Sequence, residues 1–150
     1  MPTFQDLLLA EGINPKDVRM LRHAKKFGAA GMSPFAAWQQ DRLRFEAYQA
    51  TQASKYRSFF QAPYWASFVA TPAGDTLFVG LYSVNGVEGP VDPFTCPLTG
   101  KRHDGRLVDR FTLTTAQEMR DQVGTLFDWG SGARAWRQYA DRNVKNQKAD

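Results

Sequence analysis

The chain has 150 residues, 43% of them hydrophobic and 23% charged, which fits one soluble globular domain able to bury roughly 68–70% of its unfolded surface. Its single cysteine, Cys96, excludes an internal disulfide and a cysteine-based zinc cluster and fits a reducing cytoplasm. A net charge of +4 and a pI near 9.4 lean towards an anionic partner, while the start, MPTFQDLLLAEG, lacks the pattern of a signal peptide and no stretch reaches the ~20 apolar residues of a membrane span.

Thr3 opens a short amphipathic helix. Asp6 stands three residues on in a capping-box pattern, Phe4, Leu7 and Leu8 form an apolar side, and Gly12 ends it. Asn14-Pro15 then caps a single turn. Residues 18–23 fit a strand or a helix, and we read a strand. Here lies the first of three basic runs, Arg19, Arg22, Lys25 and Lys26, with His23 inside it. Residues 25–31 form a basic, glycine-containing loop; no Gly-Lys-Ser/Thr follows, so it is not a nucleotide-phosphate loop. Ser33-Pro34 opens one long helix to about Gln52, whose stripe of Phe35, Trp38, Phe45 and Tyr48 is expected to dock on a sheet.

Residues 64–84 are predicted to form the centre of the fold. Two runs rich in aromatic and β-branched residues, 64–70 and 76–84, flank Thr71-Pro72-Ala73-Gly74-Asp75, which has the chemistry of a hairpin loop. Strict alternation puts Leu77, Val79 and Leu81 on one face and Phe78, Gly80 and Tyr82 on the other. Both faces are apolar, so the strand is expected to be central and covered on both sides, or part of a small closed barrel. Gly80 marks a bend, a bulge or a close approach.

Asn85-Gly86 is the strongest short turn signal in the chain. Residues 87–106, rich in proline and glycine, are expected to be long and irregular, the best place for a ligand-contacting flap bearing Phe94, Lys101, Arg102 and His103. Residues 107–115 alternate as a strand, 115–122 open a brief helix and 123–129 form another strand. Gly130-Ser131-Gly132 turns the chain into residues 133–139, a basic-aromatic strand or short helix, and the tail 142–150 is expected to fray. Several strands, one long packed helix, short flanking helices and no regular βαβ alternation predict a single α+β domain over 1–150, on a small mixed or barrel-like sheet.

Catalytic chemistry is not legible. Neither His23 nor His103 has a spacing that pairs it with Cys96 or a serine, two histidines do not make a zinc site, and no carboxylate set of a metal-dependent nuclease stands out. No enzyme activity, metal or cofactor is expected in these residues. A binding surface remains, because lysines and arginines neutralise phosphates while aromatic planes stack single-stranded or flipped bases. Arg134, Trp136, Arg137 and Tyr139 interleave both types after Trp129. A core position for Trp136 with merely solvated arginines is the competing reading.

Four strings, MLRHAKK, FEAYQATQ, YWASFVATPAGDTLFVGLY and FDWGSGARAWRQYADRN, spread over residues 20–143. Together they resemble a region found in front of GIY-YIG nuclease domains in some bacterial proteins. The Val79-Gly80-Leu81-Tyr82 string itself echoes half of that nuclease motif without its partner half, and we read it as a decoy. The resemblance implies a targeting module for an associated DNA-cleaving domain or subunit, with a PUA- or EVE-like barrel that reads modified bases. The expected function is therefore DNA binding, with a modified base flipped into a pocket beside the central hairpin. Arg19, Arg22, Lys25, Lys26, Arg134 and Arg137 are the expected backbone contacts, and Tyr64, Trp65, Tyr82, Trp129 and Trp136 the expected stacking residues. An RNA-binding module of the same fold, and a protein-interaction domain without nucleic-acid affinity, are the alternatives.

Overall fold

The computed structural model describes residues 2–25, 31–131 and 133–138, with Ser131 and residues 134–138 described by their backbone alone. Lys26, the heart of the glycine-containing loop, Tyr139 and the tail 142–150 lie outside the described residues.

Thr3 caps the first helix as its sequence dictates. Its hydroxyl accepts from the Asp6 backbone N–H at 3.1 Å, and the Asp6 carboxylate accepts from the Thr3 N–H at 3.0 Å, closing a capping box at the start of α1 (Phe4–Ala10). Asn14 caps a 3-10 turn, and β1 (Val18–His23) follows as a strand. The one long helix is not what forms. It divides into α2 (Pro34–Gln40) and α3 (Arg42–Gln49), because Asp41 ends the first and its side chain caps the second, accepting from the Arg44 N–H at 3.2 Å. A short strand, β2 (Thr51–Ala53), and a single helical turn, α4 (Arg57–Phe60), lead into the central hairpin.

That hairpin is β3 (Tyr64–Ala70) and β4 (Thr76–Val91), closed by a loop in which the Thr71 hydroxyl accepts from the Asp75 N–H. β4 runs through Asn85-Gly86 without turning; the dipeptide marks a register shift against the next strand, between Val84 and Gly86. The segment expected to be irregular is partly ordered as the end of β4 and a small hairpin, β5 (Phe94–Thr95) with β6 (Arg102–His103). β7 (Val108–Thr115) and β8 (Thr125–Asp128) follow, the latter shorter than the predicted 123–129. The brief helix predicted between them is only a 3-10 turn, Arg120–Gln122. The basic-aromatic stretch is a strand, β9 (Arg134–Gln138).

The sheet runs β1-β3-β4-β7-β2, with β8 paired to β4 and β9 to β8. β1 is parallel to β3 and the other pairs are antiparallel. Long β4 pairs at its start with β8 and from Tyr82 onward with β7, so the sheet curls into a half-barrel and the fold is mixed α+β. β4 is central and covered on both sides, as its composition demands. On one side Phe35, Trp38 and Phe45 of α2 and α3 pack on Val69, Leu77 and Val79. On the other, Phe4 of α1 stands among Phe68, Phe78 and Phe127, with ring centroids 5.0–5.4 Å away. A third cluster, Leu21, Phe60, Trp65 and Phe111, fills the end of the sheet near α4.

Strict alternation fails at Gly80. Phe68 pairs with Phe78 but Ser67 with Gly80, so β4 carries one extra residue there. Leu81 consequently joins the α1 side instead of sharing a face with Val79, and Tyr82 turns towards α3. Among the described residues no helix is long and apolar enough to cross a membrane.

Candidate functional site

The expected stacking residues scatter. Trp65 is fully buried, its indole N–H donating to the Phe60 carbonyl at 2.8 Å, so it offers no face to a ligand. Tyr64 is half-buried against the α1 cluster. Trp129 is exposed and sets its ring edge-on to Phe68 at 5.1 Å. Tyr82 is buried at the wall of a cavity described below. The side chains of Arg134, Trp136 and Arg137 are not among those described; their backbone lies in β9, an edge strand beside β8.

The expected phosphate contacts divide similarly. Arg19 donates from Nε to the Phe59 carbonyl at 3.1 Å and covers the Phe59 ring. Arg22 donates from Nε to the Thr76 hydroxyl at 2.7 Å, tying β1 to the hairpin. Both therefore serve the fold first. Lys25 is exposed at the end of β1.

Lys25 leads to what the fold does bring together. A cavity of about 320 Å³ opens where the end of β1, the α3–β2 turn and the β5–β6 hairpin meet. Tyr48, Tyr56, Phe60 and Phe94 line it, with His23 and Cys96 in the wall and Lys25 and Arg106 also lining it. Of the flap residues named from sequence, Phe94 lines the cavity directly, and His103 stacks on it with planes 20° apart and centroids 6.0 Å apart. Arg106 lies over the Phe94 ring at 5.5 Å. Lys101 is exposed, and Arg102 is exposed with its Nε donating to Asp104 at 3.2 Å.

His23 is the unusual group. Its ring meets Phe45 and Tyr48 edge-on at 5.8 and 5.7 Å, and its Nε2 is buried with no hydrogen-bond partner. Burial lowers its pKa to about 4, so the imidazole is neutral near pH 7 and has one donor and one acceptor nitrogen. Cys96 stands at the start of a tight turn, in which the Gly100 N–H donates to its carbonyl at 2.8 Å. Burial pushes the thiol up. Hydrogen bonds from the Thr99 side chain and from the backbone at Leu98 and Thr99, with Arg106 nearby, outweigh that and leave it below its ordinary range.

A second constellation lies on the α3 side of β4. Tyr82 donates its O–H to Glu46 Oε1 at 2.9 Å, Gln49 donates to Glu46 Oε2 at 2.7 Å, and Ser67 donates to Gln49 Oε1 at 2.7 Å. Gln49 and Ser67 are fully buried. Burial raises the Glu46 carboxyl above its usual range, with the Tyr82 and Gln49 bonds and the charge of Arg42 pulling against it. Burial and the Glu46 charge push the Tyr82 phenol far above its ordinary value, so it stays a donor.

Neither constellation stands out in the sequence. His23 and Cys96 are 73 positions apart, and only the parallel pairing of β1 with β3 and the folding-back of the β5–β6 hairpin bring them to one cavity. Among the described residues no group of three or more histidines, cysteines, aspartates or glutamates is placed to hold a metal ion. Comparison of the chain with protein-family models, with curated proteins and with solved structures returns no match.

Proposed function

We propose that the protein binds DNA and takes a modified base, turned out of the duplex, into the cavity at His23. The observation that carries this reading is an aromatic-lined cavity flanked by cations with a neutral histidine, His23, in its wall. A base needs flat apolar walls to stack on and a few fixed polar groups to read its edge. Tyr48, Tyr56, Phe60 and Phe94 supply the walls, and His23 supplies a donor or acceptor without the charge that would attract phosphate. Lys25 and Arg106 are of the type that meets the flanking phosphates.

Preference for DNA over RNA, the association with a GIY-YIG-type nuclease and the finer description of the half-barrel as PUA- or EVE-like are supported by the sequence resemblance alone. Fluorescence anisotropy at two salt concentrations tests the reading, with plain duplex, duplexes carrying methylated or hydroxymethylated cytosine or methylated adenine, single-stranded DNA and RNA. One modified duplex is expected to bind well above plain duplex, with affinity falling as salt rises. Equal, salt-sensitive binding to every probe reduces the protein to a basic surface. Preference for ribose-containing strands replaces DNA with RNA, and no binding at all points to a protein partner.

A further inference from the structure

The α3 side of β4 holds a second cavity, of about 310 Å³, bounded by Arg42 and Glu46 of α3, Gly80 and Tyr82 of β4, and Met119 and Arg120 beyond β7. Glu46 is the acidic group in this lining. Its two oxygens each accept one hydrogen bond from a neutral donor, and no ion pair reaches it among the described residues. A half-buried carboxylate held by neutral donors at a cavity, with the charge of Arg42 acting on it, marks a candidate binding group. Each oxygen retains capacity for a further donor.

The surroundings fix this group in place. The Tyr82 ring lies against Gly80, where an added β-carbon would stand 3.0 Å from the phenol oxygen, and this close approach carries the hydroxyl to Glu46. Gln49 is oriented by Ser67 in turn. Arg42 is set beside Glu46 by its bond from Nε to the Trp38 carbonyl at 3.1 Å and by the Trp38 ring, 4.6 Å from its guanidinium. Arg120 adds a second positive group to the same lining.

We propose that this cavity binds a small zwitterion of the free α-amino-acid class, its ammonium on Glu46 and its carboxylate on Arg42 and Arg120. Both charges are needed. The two arginines oppose a simple cation, Glu46 opposes a simple anion, and a neutral solute engages neither kind of charge. The site is separate from the His23 cavity, and none of its lining residues is shared.

Isothermal titration of the chain with each of the free α-amino acids, against ammonium and acetate salts at matched ionic strength, tests this. At least one amino acid is expected to bind where neither salt does. Glu46→Gln and Arg120→Gln are each expected to weaken that binding roughly tenfold or more, as loss of one partner of a close charge pair does, in chains whose circular dichroism is unchanged. Absence of binding by every amino acid overturns the proposal, as does undiminished binding in either folded variant. Arg120 is exposed, so its variant carries the test even where Glu46→Gln fails to fold.

Discussion

Arg57 grips the carboxylate of Asp109 with two nitrogens, Nε to Oδ2 and Nη2 to Oδ1, each at 2.7 Å, and Ser54 adds its hydroxyl at 2.9 Å. The fully buried Asp109 sits on β7, whereas its partners come from the segment after β2. The pair thus fastens the shortest strand of the sheet and the turn that follows it to β7. The Arg57 hydrogen bonds hold the Asp109 carboxyl below the usual carboxylate range. In the unfolded chain it titrates near ~3.9. Its contribution is therefore complete above that value and lost as pH falls through the lower folded one.

Acid should act on His23 earlier. The unfolded chain takes up a proton near pH 6.5, the folded chain only near 4, so stability declines as pH falls from about 6.5 to about 4. The full difference corresponds to ~3 kcal/mol. Thermal denaturation followed by circular dichroism across this range checks the slope. His23→Gln, which cannot titrate, is expected to flatten it, and an unchanged slope would remove His23 as its cause.

Gly89 faces the same clamp. Its φ is +152°, and a β-carbon there would run into the Asp109 carboxylate. Gly89→Ala is expected to cost about 1–3 kcal/mol, lowering Tm by roughly 2–4 °C per kcal/mol at this chain length. Gly86→Ala is the control, since nothing lies within 4 Å of a β-carbon at that position, and it should leave Tm nearly unmoved.

Phe4 is the keystone of the α1 side, fully buried among three other phenylalanines. Phe4→Ala should cost ~3–5 kcal/mol, read as a shift in the urea midpoint. Because the Phe4 N–H also donates to the Ala133 carbonyl at 2.8 Å, loosening α1 should speed amide exchange in β9.

At the His23 cavity, Tyr56 is 53% exposed and its removal leaves the core intact. If it stacks a base, Tyr56→Ala should weaken modified-duplex binding by about 1–3 kcal/mol, with an unchanged Tm. Trp129→Ala, outside that cavity, should weaken it far less. The reverse ranking in an anisotropy titration would move the site to the Trp129 side of the sheet.

Local chemistry was readable wherever it acts alone. The Thr3 cap, the Asn14-Pro15 turn and the hairpin with its central strand follow from residue types a few positions apart. The Asp41 break was missed because an aspartate between two helical stretches reads equally well as a solvated helix position, and only its side-chain bond to Arg44 decides. Asn85-Gly86 misled for the opposite reason: β7 supplies a long partner to β4, so pairing continues past a dipeptide that would turn in isolation. The sites were less legible still. Trp65 and Tyr56 have similar residue chemistry in sequence, yet one is sealed in the core and the other borders a cavity, a distinction set by contacts dozens of residues away. Lys25 and Phe94, named from sequence as a basic and an aromatic residue in loops, both line the His23 cavity; Glu46 carries no such signal in the sequence.

The extra residue at Gly80 makes β4 a phase shifter. Upstream of it Leu77 and Val79 address the two-helix side, and just downstream Tyr82 does. Plain pairing of the intact strand, without that bulge, would exchange the destinations of Leu81 and Tyr82. The hydroxyl that now meets Glu46 would be driven among the rings around Phe4, and a leucine would stand before the carboxylate. One inserted residue thus decides which of two adjacent side chains, the leucine or the tyrosine, each layer receives.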